Sequence, residues 1–91
     1  MKNSTLKKIY LSCNKIGDKG MINLSKSLVK NQTITYLDLM ENEIGDEGIK
    51  FLSNSLKKIF SVEKIYLNEN KFTEIGLKFL QQSLYSNNFF T

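Results

Sequence analysis

This chain has no histidine, proline, tryptophan or arginine, and one cysteine in 91 residues. Without histidine it lacks the commonest general base and the imidazole ligand of metal sites. One cysteine cannot close an intramolecular disulfide, which favours a reducing compartment and hence the cytoplasm. No apolar run approaches the roughly 20 residues of a membrane-spanning helix. The first stretch, MKNSTLKKIYLSC, has no long apolar core for a secretory signal. Without such a signal, the triplets Asn3-Ser4-Thr5 and Asn31-Gln32-Thr33 are not read as glycosylation sites. The net charge of +4 comes wholly from lysine, and seven of the 13 lysines lie at or before Lys30. Nucleic-acid recognition would want arginines, or basic and aromatic residues gathered on one face. Here most lysines fall on outward helix positions or loops and read as a solvated face. No nucleic acid, membrane, metal or cofactor is expected.

What is present is a repeat. Asn14, Asn42 and Asn70 are spaced by 28 residues, and the register holds around them. Leu6, Ile34 and Val62 correspond, as do Ile9, Leu37 and Ile65, and Leu11, Leu39 and Leu67. Ile16, Ile44 and Phe72 follow. Then come Gly20, Gly48 and Gly76; Met21, Ile49 and Leu77; Leu24, Leu52 and Leu80; and Leu28, Leu56 and Leu84. No gap is needed, so a repeat array is the first reading. The first half of each unit (KIYLS, YLDLM, KIYLN) alternates apolar and other residues, the period of a half-buried strand. The second half has apolar residues at 21, 24 and 28 and their equivalents, an amphipathic helix. Strand then helix, three times, predicts parallel strands side by side with helices behind them.

This pattern resembles the ribonuclease-inhibitor-like class of leucine-rich repeats. The resemblance rests on Leu6, Ile9, Leu11, Asn14, Ile16, Gly20, Leu24 and Leu28 with their equivalents, from about Leu6 to Asn87. It implies an α/β solenoid with three strands on a concave face and three helices on a convex one. The chain reads as one domain, 1–91, with repeats at approximately 6–33, 34–61 and 62–89. Three repeats is about the least that buries a continuous core.

Within the first unit the strand is predicted over Lys8 to Ser12 and the helix over Asp18 to Lys30. Ile9 and Leu11 should face the helices, and Lys8, Tyr10 and Ser12 the other side. Asn14, Asn42 and Asn70 should form a structural ladder, because an amide both donates and accepts where backbone groups leave the sheet. Gly17, Gly45 and Thr73 are the expected N-caps. Asp18, Asp46 and Glu74 follow in the first turn, where negative charge suits the helix dipole. Gly20, Gly48 and Gly76 should let each helix approach the strand layer. Ser27, Ser55 and Ser83 mark a flank where helices come close. Phe51 and Phe79 should wedge between helices on the opposite flank. Phe90 falls where a fourth repeat would open, so Phe89 and Phe90 read either as an improvised cap or as the start of a longer array. Open ends would leave strand edges and apolar flanks that invite end-to-end self-association.

Catalytic readings fail. The turns GDKG and GDEG lack the spacing of a phosphate loop. The acids Glu41, Glu43, Asp46 and Glu47 do not make a calcium loop, since Met40 occupies a position that must supply oxygen. Cys13 has Lys8 and Lys15 nearby in sequence, which would lower a thiol pKa, but it reads better as an inert small residue.

The strand face is left as the site. Its rows are Lys8, Tyr36 and Lys64; Tyr10, Asp38 and Tyr66; and Ser12, Met40 and Asn68, with Cys13, Glu41 and Glu69 at the rim. Strands lie about 4.8 Å apart, so each row is contiguous. Tyrosine and methionine are suited to interfaces. A non-enzymatic module binding a protein or peptide through Lys8, Tyr10, Tyr36, Asp38, Met40, Lys64, Tyr66 and Asn68 is the leading expectation. The alternatives come from the resemblance. Ran GTPase-activating proteins, the sensor segments of intracellular immune receptors and an actin-filament-end binder share this repeat class. A GTPase regulator often supplies an arginine in trans, and this chain has none.

Overall fold

In the computed structural model, residues 7–87 are described, with side chains through Ser83. The expectations for Met1–Leu6, for the side chain of Leu84 and for Phe89 and Phe90 lie outside the described residues. Strands and helices alternate: β1 (Lys8–Tyr10), α1 (Gly17–Leu28), β2 (Tyr36–Asp38), α2 (Asp46–Leu56), β3 (Lys64–Tyr66) and α3 (Glu74–Asn87). The strands form one parallel sheet in the order β1-β2-β3. The register follows the repeat, with Lys8 opposite Tyr36 and Tyr36 opposite Lys64, and Tyr10, Asp38 and Tyr66 aligned likewise. A parallel pair needs a crossover, and a helix that packs back onto the sheet supplies it.

β1 is shorter than the alternation predicts. Ladder bonds continue beyond it, from Leu11 N–H to Asp38 O (2.9 Å) and from Cys13 N–H to Met40 O (3.0 Å). The pleat ends because Cys13 turns into the left-handed region, with φ 62°. Glu41 and Glu69 do the same at φ 54° and 61°, and Lys15 and Glu43 follow at 53° and 60°. These left-handed residues flank the asparagines and turn the chain from sheet to helix.

The core runs between the layers. Leu37 and Leu39 of the middle unit are fully buried, with Ile44, Ile49, Leu52 and Leu56. Ile9, Leu11, Ile65 and Leu67 of the outer strands are only partly covered, since each has a neighbouring strand on one side. Ile59 is also fully buried, although its equivalents are asparagines and the repeat pattern does not mark it. Among the described residues no helix is long and apolar enough to cross a membrane.

The asparagines reach backward by one unit. Asn42 Oδ1 accepts from the N–H groups of Asn14 (2.8 Å) and Ile16 (3.3 Å), and its Nδ2 donates to Leu11 O (2.7 Å) and Met40 O (3.0 Å). Asn70 treats Asn42, Ile44 and Leu39 in the same way. Among the described residues Asn14 keeps only the local pair, donating to Leu11 O and Ser12 O.

Asp18, Asp46 and Glu74 lie in the first turns of their own helices, as expected. The two aspartates also reach forward, which the sequence reading does not include. Asp18 Oδ1 accepts from Gly45 N–H (2.6 Å) and Gly48 N–H (3.1 Å), at the start of the next helix. Asp46 Oδ1 accepts from Thr73 N–H (2.7 Å) and Gly76 N–H (2.9 Å), and its Oδ2 takes the Thr73 hydroxyl (2.7 Å). The starts of α2 and α3 are thus satisfied by the unit before them. Gly45 holds the N-cap position of α2 in extended backbone, and the Thr73 hydroxyl oxygen accepts from Ile75 N–H. Gly17 is not the N-cap. It opens α1 at φ 66° after Ile16, and its N–H is taken by Asn42 O (2.8 Å).

Gly48 and Gly76 are required for this seam rather than for approach to the strands. A Cβ on Gly48 would lie 2.6 Å from Asp18 Oδ1 and 2.8 Å from Ile44 Cγ2; one on Gly76 would lie 2.7 Å from Asp46 Oδ1. On the helix flank, the Ser55 hydroxyl donates to Ser25 O (3.0 Å) and that of Ser83 to Ser53 O (2.7 Å). These serines therefore hydrogen-bond between helices as well as being small. Phe51 is 37% exposed. Phe79 is half-buried, with Lys50 Nζ 5.8 Å from its ring centre.

Candidate protein-binding face

The outward residues of the three strands make one continuous surface. Tyr36, in the middle strand, sits between Tyr10 and Tyr66, with ring centres 5.2 Å and 5.4 Å away and planes tilted by 42° and 49°. Tyr36 is two residues from Asp38, which is opposite Tyr10 and Tyr66. The rings therefore meet diagonally across the sheet, within the reach of aromatic side chains. Lys8 Nζ lies 5.7 Å from the centre of the Tyr36 ring, a cation–π placement.

Exposure differs across the predicted set. Tyr10 is 62% exposed. Lys8, Lys64 and Asn68 are exposed, and Tyr36, Met40 and Tyr66 are half-buried. Asp38 departs from the expectation of an exposed contact: it is 8% exposed, and its Oδ1 accepts from Met40 N–H at 3.1 Å. The carboxylate fixes the strand exit. Burial holds the Tyr36 phenol above its ordinary pKa, helped by Tyr66, Tyr10 and Asp38. The face is a row of three phenols, each with an apolar body and a polar tip.

Lys8 and Lys64 occupy one margin of this row, and Cys13, Glu41 and Glu69 the other. Cys13 Sγ donates to Glu41 Oε2 at 3.0 Å. That hydrogen bond, then burial and the negative charge of Glu41, push the thiol pKa up. This fits the reading of Cys13 as an inert residue and not the lowering that lysines adjacent in the chain would give. The repeat register instead sets Cys13 beside Glu41, 28 residues away, and a thiol facing a carboxylate resists ionising. The 28-residue alignment carried that signal, because it puts Cys13, Glu41 and Glu69 in one column.

Comparison with known proteins fits this geometry. The sequence pattern of the family described as Leucine Rich repeat matches residues 2–25 and 30–53, together more than half of the chain. The chain belongs to the leucine-rich repeat family. No curated protein matches it in sequence. Among solved structures, it is similar to one titled Leiomodin-1 Actin-Binding Site 2, with a TM-score of 0.86 and 18% identity over 98% of this chain and 52% of that one. It is also similar to the C-terminal domain of tropomodulin from Caenorhabditis elegans, with a TM-score of 0.84 and 17% identity over 93% of this chain and 52% of that one. The chain thus spans about half the length of these structures, and the likeness is one of fold.

Proposed function

We propose that this chain is a non-enzymatic interaction module of the ribonuclease-inhibitor-like kind, which binds a protein or peptide through its concave strand face. The contiguous Tyr10–Tyr36–Tyr66 row carries the reading. Three aromatic rings on one accessible sheet face offer contact area at little cost in side-chain freedom. Lys8 and Lys64 on one side and Glu41 and Glu69 on the other fix how a partner lies across them. The one cysteine, exposed and free, supports a cytoplasmic setting.

One similar structure is titled as an actin-binding site, so actin is the first partner to try. Co-sedimentation with actin filaments and titration of monomeric actin should be run with the wild type and with Tyr10→Ala/Tyr66→Ala. A tenfold or greater loss in a folded double variant supports the strand face. Equal binding by both proteins removes the strand-face claim and leaves actin binding standing. If neither form of actin binds, actin is ruled out, and the same pair of proteins is used to recover other partners.

A further inference from the structure

The two ends of the stack carry the two complementary halves of one interface. Inside the molecule that interface occurs twice, between units one and two and between units two and three. The earlier unit supplies backbone N–H groups, an aspartate and an apolar helix residue; the later unit supplies an asparagine amide, a helix start and a serine hydroxyl.

At the α3 end the first half is open. Leu77 is 43% exposed, whereas its equivalents Met21 and Ile49 are fully buried. Glu74 stands where Asp18 and Asp46 serve the next helix, and it is exposed. Among the described residues no later unit takes up the N–H groups of Asn70 and Phe72, whose equivalents are held by Asn42 and Asn70. At the α1 end the second half is open. Ser55 and Ser83 are 7% and 0% exposed and donate to the helix before them. Ser27, in the same column, is exposed, and its hydroxyl reaches only its own helix, at Asn23 O, 3.5 Å away. Asn14 uses its Nδ2 locally, and no earlier unit offers N–H groups to its Oδ1 among the described residues.

We propose that copies of this chain dock head to tail, with the α3/β3 end of one on the β1/α1 end of the next. The occupant is a second copy because the open half at each end fits what the other end offers: Asn14 Oδ1 for the N–H groups of Asn70 and Phe72, and Ser27 for a carbonyl of α3. Docking also covers Leu77 and continues the parallel sheet from β3 into the next β1, pairing at each junction two edges that have no partner among the described residues. Such a contact is heterologous and does not close, so it grows into chains rather than stopping at a pair. The inference is independent of the strand-face reading.

The test is mass against concentration, by light scattering or sedimentation from micromolar to millimolar. The wild type should rise past twice the monomer mass without a plateau. Leu77→Lys blocks one end and Ser27→Arg the other. Both positions are exposed in the single chain, so both variants should keep the wild-type circular dichroism and urea midpoint. Each variant alone should remain monomeric. An equimolar mixture should form pairs and stop at twice the monomer mass, since it holds one free end of each kind. A wild type that stays monomeric, a plateau at dimer, a variant that assembles like the wild type, or a mixture that stays monomeric would each overturn the proposal.

Discussion

The side chain of Asn42 is fully buried and completes four hydrogen bonds, three of them to the unit before it. Asn42→Ala strips partners from two N–H groups and two carbonyls at once. Since an unsatisfied buried polar group costs about 1–3 kcal/mol, the substitution should cost about 2–4 kcal/mol. Asn14→Ala loses only two local, exposed bonds and should cost under about 1 kcal/mol. Urea unfolding of the two variants checks the difference; equal losses would mean that the ladder is not what holds the turns. Cys13 gives a second expectation. Its thiol is held above the ordinary pKa, first by the hydrogen bond to Glu41. Alkylation by iodoacetamide at neutral pH should therefore be slower than for a cysteine in an unstructured peptide, and Glu41→Ala should speed it up. Wild-type alkylation as fast as the peptide's would contradict that environment. The asparagine column was legible in the sequence because three identical residues share one spacing. The Cys13 environment was legible only through the repeat alignment, because neighbours in the chain are lysines and the neighbour in space, 28 residues away, is a carboxylate.

The second and third helices are capped by the unit before them, and this makes the element boundary sensitive to acid. The Asp46 carboxyl lies below its ordinary value of 3.8, chiefly through the Thr73 hydroxyl, then through the N–H groups of Thr73 and Gly76. A depressed carboxylate contributes stability above its unfolded pKa, and that stability is lost as pH falls through the lower folded value. Asp46→Ala should therefore lower the urea midpoint at neutral pH, and the gap to wild type should close below about pH 4. A gap independent of pH would show that the carboxylate's charge is not what α3 uses. Helix spacing was readable from the apolar residues at 21, 24 and 28 and their copies. The direction of capping was not, because the 27 residues between Asp18 and Gly45 become a contact only once two units stack.

As a whole molecule, the stack has one unit with neighbours on both sides. Its Leu52 is fully buried, while Leu24 of the first unit is only partly covered. Leu52→Ala should cost about 2–5 kcal/mol, the range for emptying a packed core site. Leu24→Ala should cost less than half of that. Both should unfold in one urea transition, because in a stack of units stability comes largely from the seams. Equal costs at the two sites would show that the middle unit has no special standing.

By itself the sequence determined the unit, its count and which side of each strand faces the helices, because those follow from a 28-residue period and from alternation within it. Only the tertiary structure decided what passes between units. It turned Asp18 and Asp46 toward the next helix, buried Asp38 and gathered Tyr10, Tyr36 and Tyr66 into one row. Each of these depends on how far one unit is displaced from the next in space. A one-dimensional pattern records the order of its units but not that displacement.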